Sequence, residues 1–189
     1  MSSFDSLVIK TNNIMFLWKK TRGFAPTKTA DKLDNAMLEL HCEMTRTLKI
    51  WIDKGLSMTN GELVLARANI GAVVESWLKF FYCVYYEDYL HTYNSDDPDS
   101  KVISKKGEMI QPDVLSFDRL KNFSVNKLWP KKSSKYKWIE KIQQRRNAIH
   151  YFSPRNIGTP QEFLDDVETL LVFVNDIENQ LPPIEDFNY

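Results

Sequence analysis

Apolar residues return every three or four positions through several long stretches of this chain, and nowhere do they alternate with polar residues for more than a few positions. That periodicity belongs to helices, so it predicts an all-α protein. A short amphipathic helix is expected from about Phe4 to Lys20, ending near Gly23 and Pro26. A second is expected from about Ala30 to Lys54, with Leu33, Met37, Leu40, Met44, Leu48 and Trp51 as its apolar stripe and Gly55 as its stop. A third, from about Gly61 to Tyr93, is apolar round much of its circumference and suits a central position. Residues 94–111 read as an exposed polar loop, and 113–129 as a short helix or docking segment closed by Pro130.

Ser133 or Ser134 can cap a helix from about Lys135 to Phe152, stopped by Ser153-Pro154. The last helix opens on Thr159-Pro160-Gln161-Glu162, a capping box with proline in the first helical position, and would bury Phe163, Val167, Leu170, Val174, Ile177 and Leu181. Four long helices with mostly short links suggest one domain over residues 1–189, an antiparallel four-helix bundle with its core at about 30–181. The N-terminal helix and an insertion at about 94–134, between the second and third bundle helices, would pack on its outside.

At 189 residues and 43% hydrophobic, the chain can bury a core without covalent staples. Cys42 and Cys83 both lie in apolar periodic segments, which points away from a disulfide framework or a zinc module and toward a reducing, cytoplasmic setting. No leader-like start is visible, and the longest apolar stretch, Val73 to Tyr86, is interrupted by Glu75 and Lys79, so no membrane association is expected.

Formal charge balances at 25 basic and 25 acidic residues, but not locally. Lys101 to Arg146 holds 13 basic and 4 acidic residues, whereas Thr159 to Tyr189 holds 8 acidic residues and no Lys or Arg. Either the two segments neutralise each other side by side, or the basic one faces phosphate. In the second case Lys131, Lys132, Lys135, Lys137 and Lys141 would form the phosphate-facing surface.

At about 100° per residue, Trp138, Ile142, Ile149 and Phe152 share a stripe, and Arg145 falls within it. A buried guanidinium costs several kcal/mol if unpaired, so Arg145 must meet a carboxylate, open into a cleft or face a second chain. Arg146 and His150 lie one turn apart on the edge of the stripe, with Asn147 further round. His150 is placed where helix carbonyls favour a cation, and imidazole is the side chain suited to proton transfer near neutral pH. Glu75, among Val73, Val74, Trp77 and Leu78, either orients Arg145 or Arg146 or pairs with Lys79 one turn on.

The run Gln143-Gln144-Arg145-Arg146-Asn147-Ala148-Ile149-His150-Tyr151-Phe152, late in a helical bundle, resembles the HEPN superfamily (higher eukaryotes and prokaryotes nucleotide-binding). The signature of that family is Arg, four to six residues, then His, which Arg145 and His150 match. Members often carry Asn, Asp or His directly after the Arg. Here Arg146 stands there and Asn147 follows it, a second frame with three residues before His150. The resemblance implies a metal-independent endoribonuclease of a toxin-antitoxin, abortive-infection or other phage-defence system, working as a homodimer and needing no cofactor. His150 would move the proton, Arg145 would meet the phosphate charge, and Arg146 and Asn147 would complete an interfacial cleft. It equally implies the alternative of a catalytically inactive helical module, an antitoxin, sensor or scaffold partner.

Other chemistries find little footing. His41, Cys42, Cys83 and His91 lack metal-ligand spacing, and no P-loop, dinucleotide fingerprint or nucleophile elbow occurs. The small residues Gly61, Ala66, Ala68, Gly71 and Ala72 read as places where helices approach closely.

Overall fold

The computed structural model describes residues 2–94, 96–98, 101–150, 152 and 155–183, and among them it is helical, with isolated bridges such as Ile103 to Met109 in place of strands. Eight α-helices follow in chain order: α1 (Ser3–Trp18), α2 (Thr27–Asn35), α3 (Leu38–Lys54), α4 (Asn60–Val84), α5 (Tyr86–Thr92), α6 (Phe117–Phe123), α7 (Ser134–Arg146) and α8 (Pro160–Glu178). None among the described residues is long and apolar enough to cross a membrane.

α4 is the axis of the fold, packing against α3, α7 and α8, while α1 lies against α3 and α8. Its start is fixed by Thr59 and Glu62, which cap each other's backbone N–H groups reciprocally. Its middle is buried over most of its circumference because Leu63, Ile70, Val74 and Trp77 point into one core and Arg67 and Gly71 take the flank facing α7 and α8, while Ala68, Ala72, Ser76 and Lys79 are partly exposed. Trp77 meets His41 and Phe80 edge-on, with ring centroids 5.2 and 5.6 Å away, the arrangement favoured by aromatic quadrupoles.

The expected helix over 30–54 is two helices. Asn35 turns its side-chain amide back onto the Asp31 carbonyl at 2.7 Å, and Ala36 adopts an extended conformation. The break carries no glycine or proline. It rotates α3, so that Leu38, His41, Cys42, Thr45 and Leu48 are its buried residues, while Met37 is 71% exposed and Leu40 also faces solvent. The expected helix over 61–93 breaks likewise at Tyr85, whose hydroxyl donates to the Gln180 carbonyl at 2.5 Å.

α7 also stops sooner than the apolar spacing predicts. After Arg146 the chain tightens into a 3-10 turn over Asn147–Ile149, where each residue advances about 120° instead of 100°. Ile149 and Phe152 therefore leave the stripe and stand 43% and 93% exposed. The Ser153-Pro154 stop lies outside the described residues. The insertion is more than an outer layer: Val102, Leu115, Phe117, Leu120 and Phe123 belong to the main core, and Phe123 meets the rings of Tyr82 and Tyr89 at 4.9 and 5.1 Å. α8 keeps the expected cap and buries Phe163, Val167, Leu170, Val174 and Ile177, whereas Leu181, past the helix end at Glu178, is only partly buried.

Candidate functional site

The two arginines at the end of α7 part company. Arg145, 7% exposed, turns inward between α7 and α8, where its Nη2 donates to Glu162 Oε1 at 2.6 Å and its Nη1 approaches Asp166 Oδ2 at 3.5 Å. Of the three outcomes open to a guanidinium in the stripe, it meets carboxylates. Asp166 is itself 1% exposed, and it gathers Arg67 Nη1 at 2.6 Å, Lys141 Nζ at 2.6 Å and the Trp138 indole N–H at 2.9 Å. Arg67, fully buried on α4, also donates to the carbonyls of Ile157 and Thr159 and lies over the Phe163 ring. Every buried charge in this cluster is therefore paired and hydrogen-bonded, which is the condition for burying one at all.

Gly158 closes the cluster from the loop before α8. Its φ is +72°, in the left-handed region, and a Cβ placed there would lie 2.5 Å from Arg145 Cζ. Gly158→Ala is therefore expected to lower the urea midpoint by the equivalent of about 2 kcal/mol, from backbone strain and displacement of the guanidinium together. Glu162 serves two masters: Oε2 accepts from the Thr159 N–H at 2.8 Å while Oε1 holds Arg145. The Arg145 hydrogen bond, followed by the Thr159 N–H, lowers its pKa to about 2 from an ordinary 4.5. A carboxylate depressed in the fold stabilises above its unfolded pKa and loses that contribution as pH falls. The stability gap between wild type and Glu162→Gln is therefore expected to be full above about pH 4.5 and to close toward pH 2, as followed by thermal unfolding across that range.

Arg146, the next residue, leaves that cluster and runs along α4. Its Nη2 donates to Glu75 Oε2 at 2.8 Å, and the other oxygen of Glu75 accepts from Lys79 Nζ at 3.1 Å. Glu75 thus does both things its sequence context allows. The stem of Arg146 rests directly on α4, because a Cβ on Gly71 would overlap Arg146 Cβ and Cγ. Of the small residues on α4, Gly71 is where close approach is required; Gly61 has open space around it. Asn147 is half-buried at the helix end, its carbonyl accepting the His150 N–H at 3.1 Å, and His150 is exposed. Arg146, Asn147 and His150 follow one another at the end of α7 and its 3-10 turn, partly or fully exposed, whereas Arg145 is buried against α8.

The basic candidates also divide. Lys135 pairs with Asp176 at 2.6 Å and Lys141 with Asp166, so α7 and α8 neutralise each other along their contact. Lys131, Lys132 and Lys137 are exposed on the same segment, and Lys132 and Lys137 form no ion pair among the described residues. Sequence reasoning missed Arg67 and Asp166. Asp166 was visible as an acidic residue inside the Phe163, Val167, Leu170 stripe, the same signal that drew attention to Arg145. Among the described residues no three His, Cys, Asp or Glu side chains gather as metal ligands would. Compared with known proteins, the chain matches no family model, no curated protein and no solved structure.

Proposed function

We propose that this chain is a HEPN-type module that binds single-stranded RNA and cleaves it without a metal, with Arg146, Asn147 and His150 as its working group. In this reading the fold is an antiparallel four-helix bundle of α3, α4, α7 and α8, and two copies meet to form the cleft. The observation that carries it is the division at the end of α7: one arginine is given to the scaffold, and the next stands at the surface beside an exposed histidine, with its side chain 36% accessible. That favours the frame beginning at Arg146 over the one beginning at Arg145, and with three residues before His150 it departs from the four to six of the family signature.

The chemistry follows from those side chains. Neutral His150 takes the proton of a 2′-hydroxyl as its oxygen attacks phosphorus, and the bond from phosphorus to the 5′-oxygen breaks. The leaving oxygen takes a proton from the imidazolium of the second copy, which leaves a 2′,3′-cyclic phosphate and a 5′-hydroxyl. Arg146 stabilises the charge that grows on the phosphoryl oxygens, and Glu75 orients it. Lys132 and Lys137 supply the sequence-independent attraction for the backbone. A place in a toxin-antitoxin or other defence system, with a protein partner that restrains the activity, accords with such chemistry.

A second reading, a non-catalytic helical partner module, draws on the fact that Arg145 and Arg146 both already hold carboxylates. Single-stranded RNA incubated with the protein in EDTA separates the two. Shortening by the wild type and not by Arg146→Ala supports the enzyme; RNA left intact by a folded wild type supports the partner module.

A further inference from the structure

α1 carries apolar residues all round, and only one side of it is covered. Leu7, Ile14, Met15 and Trp18 are buried where the helix packs on α3 and α8. On the other side Ile9, Phe16 and Leu17 stand 47%, 63% and 49% exposed. A helix that is hydrophobic on both faces is ordinarily buried on both. At about 100° per residue, Asp5, Ile9, Asn13, Phe16 and Leu17 share one outward stripe, and all are exposed. Lys20, just past the helix end, joins the stripe with its ammonium 3.9 Å from the centre of the Phe16 ring. Lys10 pairs with Glu178 and Lys19 with Glu39, whereas Asp5 and Lys20 form no ion pair among the described residues. Asp5 gives only its Oδ2 to the Ser2 N–H, at 3.0 Å.

We infer that a second copy of this chain docks on the stripe, its α1 antiparallel to the first about a two-fold axis at Asn13. The order of the stripe selects that occupant, because it is complementary to its own reverse. Ile9 lies four residues before Asn13 and Leu17 four after, so antiparallel pairing sets Ile9 against the partner's Leu17 and the partner's Phe16. Asp5, eight residues before the axis, meets the partner's Lys20, seven after it. Asn13 meets the partner's Asn13, and two side-chain amides can each donate to and accept from the other. The two-fold axis then makes every contact twice, as isologous pairing requires. A lipid surface would call for a basic rim, and this stripe holds one carboxylate, one ammonium and an amide between them. The contact stands apart from the RNA-cleaving reading: α1 packs on α3 and α8, while Arg146 rests on α4. Its failure would leave that reading untouched.

The test is a cross-link at the axis, made in the full chain. Asn13→Cys is expected to give a disulfide-linked dimer on oxidation by dioxygen, with the wild type as blank because Cys42 and Cys83 are buried. Adding Ile9→Lys should abolish the cross-link, since an ammonium would then be pressed onto the partner's Leu17. In sedimentation equilibrium, Lys20→Glu should raise the dissociation constant of this contact about tenfold, as two ion pairs become two repulsions. An equimolar mixture of Lys20→Glu and Asp5→Lys should restore it, because unlike charges then face each other at both ends. Ile9 and Lys20 are exposed, so unfolding midpoints of their variants should match the wild type. A dimer that forms without the Asn13→Cys cross-link and ignores Ile9→Lys would put self-association on another face and overturn the inference. A chain that stays monomeric at every concentration would overturn it too, whether or not Phe16 and Leu17 then carry it onto anionic lipid vesicles.

Discussion

Asp166→Ala is expected to destabilise the protein by about 3–5 kcal/mol, the cost of removing one partner from a buried ion pair. The carboxylate is 1% exposed and receives Arg67, Lys141 and Trp138 at 2.6, 2.6 and 2.9 Å. Without it the fully buried Arg67 keeps only two carbonyls and a ring face. Domains of this size are stable by about 5–15 kcal/mol in total, so a large part of the reserve would go. Urea unfolding measures the loss directly. Adding Arg67→Met to Asp166→Ala should restore much of it, because the stranded charge leaves with its partner. A single variant within 1 kcal/mol of wild type would mean that the cluster is not what joins α4, α7 and α8.

Much of this architecture was legible in the chain. Helical periodicity foretold an all-α fold, and the Thr159 to Glu162 box marked the start of α8. The kinks were not legible, because residues that continue a helix elsewhere interrupt it here. Ala36 and Tyr85 are ordinary helix residues, and they leave the helical conformation so that α3 and α5 can find separate packing surfaces. The resulting rotation of α3 exposed Met37 and buried His41, which no projection along an unbroken helix could show.

At the candidate site, the pattern identified an arginine that had to be explained without saying which explanation held. Arg145 reaches Glu162, 17 positions away, and Asp166, 21 positions away. Pairings at that range depend on how two helices come together, not on spacing within one. The same holds for Arg146 and Glu75, 71 positions apart, whose meeting depends on the missing side chain of Gly71. The adjacency of Arg145 and Arg146 along the chain thus conceals an opposition of partners, the α8 carboxylates for one and Glu75 of α4 for the other.

That opposition gives the second large effect. His150→Ala is expected to lower RNA cleavage by about 10²–10⁴-fold, the range for losing a positioned proton-transfer group. Its unfolding midpoint should not change, since the side chain is exposed. Arg146→Ala should lower cleavage by about 10²–10³-fold, as the loss of a donor to developing charge does. Arg145→Ala should act on stability first, because it leaves Glu162 and part of Asp166 without their cation. Loss of cleavage in Arg145→Ala at full stability, with Arg146→Ala fully active, would restore the frame beginning at Arg145.

The most direct measurement is of the ends left on a single-stranded RNA after incubation with the protein in EDTA, wild type beside His150→Ala. Cyclic 2′,3′-phosphate and 5′-hydroxyl ends from the wild type, and intact RNA with the equally folded variant, are the expected result. Intact RNA from both, or the same ends at the same rate from His150→Ala, would contradict a working group built on Arg146, Asn147 and His150.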